Sequence, residues 1–447
     1  MSGPAYGHQK SHKTLNAAPY RFAGFFGWWI VAAAFVIYFM SAGLLGTGTV
    51  YFKPLSAEFG WHRGELSGAF SLGFLLAGAA TPLWGRIADR RGPRAAFLPG
   101  VILTGVICLL QSRIWNLTSL YIINVALAVA GAGVSLIPVS VILSNWFVRR
   151  RGRAIGIAYT GEGFGTLILT PVVGMLVVSV GWRYAYILSG LAFLGVLTPV
   201  VLWIKNRPED VGLSADGVDP PPSPSARPSG EGIDTDALGL SLSEALRTSA
   251  FWFIALAWFV TMMALAAEGL HQVPYMTDLG FSTASAALLA GAVGGMSILG
   301  RLGFGLLAER YPVRPIYVWC YVLAGIGAAA LWAAAHVGSV SLVVYVVFAG
   351  IANGGALALS ALLVAECFGV RALGEIFGLL ALAATIGGAI GGTAAGVLFD
   401  MTGSYDIAFG LGVVLCGAGC VLMALARPPA SRVAETKAVL PVLLPGP

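Results

Sequence analysis

Gly85-Arg86-Ile87-Ala88-Asp89-Arg90-Arg91-Gly92-Pro93-Arg94 interrupts a series of apolar segments. A weaker copy follows at Gly305-Leu306-Leu307-Ala308-Glu309-Arg310, with Arg314 in the place of Arg94. The copies are 220 residues apart, and the same shift lays Glu58-Phe59-Gly60-Trp61 on Asp278-Leu279-Gly280-Phe281. Two matches at one offset, each at the end of an apolar run, mark an internally duplicated chain. The residue types fit a short connection between membrane helices. Gly85 permits close helix approach, and Asp89 can cap a neighbouring helix N-terminus or pair with arginine. The basic residues hold the connection on the cytoplasmic side.

Outward from these loops the chain is a succession of runs long enough to cross a bilayer, which takes about 20 apolar residues each. Six begin near Phe26, Leu66, Ala95, Ser119, Ala154 and Trp182, and six more near Phe251, Ala284, Pro315, Ser339, Gly374 and Tyr405. The expected fold is an all-α membrane protein with twelve transmembrane helices in two six-helix halves. Residues 1–24 read as an N-terminal tail, 25–204 as the first half, 205–248 as a linker, 249–426 as the second half and 427–447 as a tail. The linker contains Pro220 to Pro222, Pro224 and Pro228, so it is expected to be flexible, with a short surface helix near Leu242 to Leu246. With the termini and linker cytoplasmic, 21 of the 26 Lys and Arg lie on that side. Only Lys53, Arg63, Arg113 and Arg183 lie opposite, with Arg301 inside a span; this bias sets the expected orientation.

Composition excludes other classes. The chain of 447 residues is 57% hydrophobic and 10% charged, with a mean hydropathy of +0.84. A soluble protein so apolar could not cover itself with polar surface, whereas a lipid-facing one need not. The net charge of +6 comes from clusters between spans and forms no nucleic-acid-binding stripe. The five cysteines sit in or beside apolar segments without metal-ligand spacing and read as packing residues. No enzyme constellation, phosphate-binding loop, cofactor motif or metal site is legible, so the chain is not expected to be an enzyme. The first apolar run is too long for a signal-peptide core and reads as an uncleaved span.

The Gly85–Arg94 connection resembles the signature loop of the major facilitator superfamily, with its second-half counterpart at Gly305–Arg314. The stretch Trp146-Phe147-Val148-Arg149-Arg150-Arg151-Gly152-Arg153-Ala154-Ile155-Gly156-Ile157-Ala158-Tyr159-Thr160-Gly161 is similar to the fifth-span signature of monocarboxylate transporters. Gly24-Phe25-Phe26-Gly27-Trp28 partly matches that family's first-span signature, with Ala23 in place of the usual acid. Related patterns occur in bacterial oxalate/formate antiporters. The resemblance implies alternating access between two halves, a small organic anion substrate of the lactate and pyruvate class, protons as partners and a monomeric functional unit in the lipid bilayer. It implies conformational gating for Gly85, Asp89, Arg90, Arg94, Gly305, Glu309 and Arg310. Arg149, Arg150, Arg151, Gly156 and Gly161 are the residues of the span-five motif. A preference for Arg over Lys suggests a bacterial inner membrane.

Ionisable residues at membrane depth each cost at least about 2.5–3.5 kcal/mol, so each needs a partner or a task. Arg301, in Ser297-Ile298-Leu299-Gly300-Arg301-Leu302-Gly303, can hold a carboxylate bidentately and stays charged. The resemblance places the family's substrate-binding arginine at this point. Ser297 stands where animal members carry an aspartate, and no span-eleven lysine of the oxalate-carrier type is present. One fixed cation suits one carboxylate. Glu162 lies about 13 Å into span five, and the resemblance implies that spans five and eight face each other, so that it can meet Arg301; it is the first proton-coupling candidate, with Glu268 and His271 in span seven next. Alternative readings are an oxalate/formate-type exchanger, a drug/proton antiporter on the same fold, or a non-transporting membrane sensor.

Overall fold

In lipid every backbone N–H and C=O must be satisfied within the protein, so long apolar runs become helices. The computed structural model describes residues 26–147, 150–217, 239–369 and 371–427. Among them, twelve helices are long and apolar enough to span a membrane. They are α1 (Gly27–Phe59), α2 (Arg63–Arg91), α3 (Pro93–Gln111), α4 (Leu117–Trp146), α5 (Arg151–Val180), α6 (Trp182–Trp203), α7 (Ser249–Asp278), α8 (Thr283–Ala308), α9 (Val313–Val337), α10 (Val340–Phe368), α11 (Leu373–Thr402) and α12 (Asp406–Leu425). Several are longer than a bilayer core requires. α1 tightens into a 3-10 segment at Gly46–Tyr51 before continuing, and α4 does so at Ala132–Val134.

The duplication is visible in the helix register. α2 and α8 begin at Arg63 and Thr283, and α3 and α9 at Pro93 and Val313, both pairs at the 220-residue offset. Gly60 and Gly280 end the preceding helical segments with φ of 69° and 93°, a left-handed conformation that glycine adopts without a Cβ penalty. Across the two halves α5 packs on α8 and α2 on α11. These two contacts exchange under the repeat, since α2 corresponds to α8 and α5 to α11. Each half has its own buried core, one around Ile30, Phe97, Trp146 and Phe193 and the other around Phe251, Tyr317, Leu359 and Ile376. Large apolar side chains such as Trp29, Leu83, Ile122 and Val414 point outward, as a lipid-covered surface allows.

The linker is fastened at its start, where it was expected to be loose, and carries the expected short helix near its end. Asn206 receives the Arg94 N–H at 2.9 Å and Trp146 Nε1 donates to the Lys205 carbonyl at 3.1 Å, fastening its start to the first half. Leu240 N donates to Phe368 O at 2.9 Å, and the short helix Leu242–Ala245 forms with Ser241 as its cap. Backbone polar groups beside a helix bundle need such partners. The proline-rich centre, both tails and Gly24-Phe25 lie outside the described residues.

Candidate functional site

Glycine spacing sets the distance between α5 and its two neighbours. A Cβ on Gly161 would stand 2.6 Å from Phe35 O on α1, while one on Gly163 would stand 2.5 Å from Ile298 on α8. The alternation Gly161-x-Gly163-x-Gly165 thus seats α5 against α1 on one side and α8 on the other. Close packing of this kind needs residues without side chains. It brings Arg301 of α8 to Glu162 of α5.

Arg301 Nη2 lies 2.7 Å from Glu162 Oε2, a charge-assisted contact across the two halves. Nη1 donates to the Tyr159 carbonyl. Nε is buried and has no hydrogen-bond partner among the described residues. The arginine is 9% exposed and the glutamate 34%, so one face of the pair is accessible. Tyr38 packs on Tyr159, ring centroids 5.2 Å apart, and the Tyr159 hydroxyl meets Ser140. The arrangement is a cation held by an internal carboxylate and one carbonyl, with a donor to spare.

Next to the turns that carry the pair lies a cavity of about 640 Å³ between the halves, lined by residues of α1, α2, α3, α4, α6, α7, α10 and α11 and by neither Arg301 nor Glu162 themselves. Thr166 connects the two features: its hydroxyl donates to Glu162 O at 3.0 Å, and it would be 3.7 Å from a Cβ on Gly46 in the cavity wall. On the α10 side, Asn353 lines the cavity and the next residue, Gly354, packs on the Arg301 backbone.

At the end of the molecule carrying Asp278 the halves are tied by several polar contacts. Asp278 pairs with Lys53 at 2.9 Å and Arg63 at 2.7 Å. Asp400 receives the N–H groups of Arg63 and Gly64 at 2.9 and 2.6 Å, capping α2 from α11. Arg63 also stacks on Phe399, 3.7 Å from the ring centroid. Glu58 pairs with Arg183 at 2.6 Å inside the first half, Asp278 pairs across the halves, and Asp400 supplies the cap.

A family model described as Major Facilitator Superfamily matches residues 20–303 and 269–444. The chain belongs to the Major Facilitator Superfamily. Within it the chain is monocarboxylate transporter-like. It is 26% identical over 405 residues to "Monocarboxylate transporter 13" of Bos taurus, covering 89% of each chain. It is 29% identical over 397 residues to "Monocarboxylate transporter 11" of Homo sapiens, covering 86% of this chain and 80% of that one. Among solved structures, the nucleoside transporter NupG superposes with a TM-score of 0.69 at 13% identity, covering 89% of this chain and 98% of that one. A bacterial homolog to human lysosomal transporter Spinster, inward-facing and occupied, gives 0.65 at 18%, covering 90% and 96%. The chain is an integral membrane protein. Its named sequence relatives are mammalian and give no support to the bacterial inner membrane suggested by composition.

The superfamily motif residues sit at the other end of the molecule. Gly85 is buried, with Ile137 3.3 Å from where its Cβ would be, whereas a Cβ on Gly305 would meet nothing within 4 Å. Asp89, Arg90, Glu309 and Arg310 are exposed. Asp89 makes no hydrogen bond or ion pair among the described residues, so it does not cap a helix here. That task falls to Asn206 at Arg94 N and to Glu366, which receives Val313 N at 2.7 Å. Arg314 donates to Ala426 O at 3.2 Å. Arg149 lies outside the described residues. Arg150 and Arg151 are exposed, and Gly156 has open space around its Cβ position.

The two α7 candidates are separated from Arg301. Glu268 is 3% exposed. It faces the interior of the second half, 3.7 Å from a Cβ built on Gly412, and Oε1 has no partner among the described residues. His271 is wholly buried, with Nε2 2.9 Å from Gly392 O and Nδ1 2.9 Å from the Tyr405 hydroxyl. The carbonyl requires an N–H at Nε2, leaving Nδ1 to accept from Tyr405. Neither residue lines the cavity. Asp400 and Tyr405 were missed by sequence reasoning, because each stands at a span end among ordinary loop residues.

Proposed function

We propose that this protein is a secondary active transporter that moves an organic monocarboxylate by alternating access, with protons as the coupling ion. The Arg301–Glu162 pair, at 2.7 Å, is the observation that carries this reading. A substrate carboxylate replaces Glu162 on the guanidinium and reaches the free Nε donor as well, giving the bidentate geometry that favours a carboxylate. Released Glu162 takes the coupling proton while the substrate carboxylate holds its place on Arg301. After substrate leaves, deprotonated Glu162 returns to Arg301 and neutralises it for the empty passage. Glu268 and His271 stand outside this exchange, because neither touches the arginine.

The excess of Lys and Arg supports a cytoplasmic signature-motif end, which makes the end tied by Asp278 and Asp400 external. The structure then corresponds to a state closed to the outside. The exposed motif residues Asp89, Arg90, Glu309 and Arg310 have room to engage when the opposite state forms. The monocarboxylate transporter names of the relatives support the anion class, and one arginine at membrane depth, Arg301, supports one carboxylate per substrate.

The test is uptake of radiolabelled monocarboxylates into proteoliposomes with and without an inward proton gradient, comparing wild type with Arg301→Ala and Arg301→Lys. Gradient-stimulated uptake lost in both variants, with the proteins still inserted and monodisperse, is the expected result. Undiminished uptake by Arg301→Ala would remove Arg301 as the binding residue. Equal uptake with and without the gradient, together with acid-for-acid counterflow, would replace symport by exchange.

A further inference from the structure

The cavity beside Arg301 has walls that describe the substrate beyond its carboxylate. None of its lining residues is Asp, Glu, Lys, Arg or His. Several hydroxyls on the wall are committed to backbone: Thr81 donates to Ala77 O at 2.8 Å, Thr385 to Ala381 O at 2.9 Å, Ser135 to Ala132 O at 2.7 Å, and Thr49 to Leu270 O at 2.9 Å. Phe70, Phe74, Leu127, Met262 and Leu265 supply much of the remaining surface. Polar capacity lies in Asn353, in the buried pair Gln111–Asn124, joined at 3.1 Å, and in the hydroxyls of Tyr51, Ser71 and Tyr186. From Ser71 to Thr81 on α2 the lining runs ten helical rises, or about 15 Å.

Breadth comes from missing side chains. Gly269 lines the cavity with nothing within 4 Å of its Cβ position, and Gly131, also on the wall, has only Leu45 at 3.5 Å. The volume of about 640 Å³ lies in the range that encloses ligands of drug size, about 300–1,000 Å³. A three-carbon acid paired to Arg301 would leave most of this apolar wall facing water.

We propose that the substrate is a monocarboxylate with an extended apolar body, a ring or a long branched chain, whose acid group meets Arg301 and whose body fills the cavity. This rests on the monocarboxylate reading above and replaces the lactate and pyruvate size class with a larger one. Discrimination comes from the body. Each methylene removed from water is worth about fourfold in binding, so a phenyl-bearing acid gains at least about tenfold over lactate.

Proteoliposome uptake of radiolabelled lactate and 3-phenylpropionate, with protein-free liposomes and Arg301→Ala as the baseline for passive permeation, provides the test. Wild type is expected to show saturable, Arg301-dependent uptake of 3-phenylpropionate with kcat/KM about tenfold or more above lactate. Gly269→Leu projects into the cavity and is expected to lower kcat/KM for 3-phenylpropionate about tenfold while lactate changes by less than about threefold. Protection of wild type against thermal unfolding by 3-phenylpropionate in preference to lactate gives a second readout that does not depend on the variant folding. Arg301-dependent uptake favouring lactate would overturn this inference and leave the monocarboxylate reading intact. No Arg301-dependent uptake of either acid, with no protection, would overturn both.

Discussion

Arg63 Nη1 donates to the Tyr405 hydroxyl at 2.7 Å, and that hydroxyl donates onward to His271 Nδ1 at 2.9 Å. His271 Nε2–H ends the series on Gly392 O, also at 2.9 Å. Every proton in the series has one place, so a neutral histidine transmits an arginine of the first half into α7 and α11 of the second. With Asp278 and Asp400 on the same arginine and its backbone, Arg63 is the centre of the tie between the halves.

Removing Arg63 is therefore expected to favour opening at that end. A hydrogen bond to a charged group is worth about 1.5–3 kcal/mol, enough to shift a two-state equilibrium about tenfold or more. In a background without reactive native cysteines, Ser71→Cys on the cavity wall should react with an impermeant maleimide about tenfold faster from that side in Arg63→Ala. Tyr405→Phe, which removes the hydroxyl alone, should produce a smaller change in the same direction. An unaltered labelling rate in Arg63→Ala would mean that helix packing alone closes this end.

Glu162→Gln keeps the volume and removes the charge that competes for Arg301. Uptake driven by a proton gradient should fall about tenfold or more, while the dependence of the remaining transport on external pH should flatten. Substrate affinity at equilibrium should rise, because no internal carboxylate must be displaced. Binding measured in detergent by calorimetry separates this from simple damage: a lower affinity would contradict the competition.

The fold was legible because two signals were long and redundant. Twelve apolar runs and one 220-residue repeat at the Gly85 and Gly305 loops point to the same architecture. Arg301 was legible for a simpler reason, since a charge within a span stands out against its neighbours. Its partner Glu162 followed from depth along α5 together with the superfamily resemblance, which sets span five against span eight. The tie at the other end was not legible: Asp400 and Tyr405 sit at span ends, where polar residues are ordinary, and their importance arises from meeting Arg63 more than 300 positions earlier. Asp89 erred in the opposite direction. Its motif suggested an engaged side chain, but engagement depends on how the halves are disposed, which a linear sequence does not specify.

Gly161 and Gly156 share the span-five motif and should respond differently to the same substitution. A Cβ at Gly161 would press on the Phe35 carbonyl of α1, which belongs to a helix backbone and cannot rotate away. Gly161→Ala should cost about 1–3 kcal/mol, the usual range for overpacking, and lower both the detergent Tm and the yield. Gly156→Ala meets open space and replaces glycine in a helix, so it should leave stability unchanged or raise it by about 1 kcal/mol. Equal effects at both positions would show that the motif acts through something other than the α1–α5 contact.

Glu268 tests whether a buried acid on α7 has a transport task. Its surroundings are the packed interior of the second half, Gly412 and Ala264 lie close by, and Oε1 has no partner among the described residues. A carboxyl in such a place costs stability whenever it must ionise without a cation beside it. Glu268→Gln preserves the shape and removes that cost, so the Tm measured at alkaline pH should rise relative to wild type. Transport and its proton dependence should stay within about twofold, because the side chain touches neither Arg301 nor Glu162. Loss of gradient-driven uptake in this variant, with Glu162→Gln still coupled, would transfer the coupling task from α5 to α7.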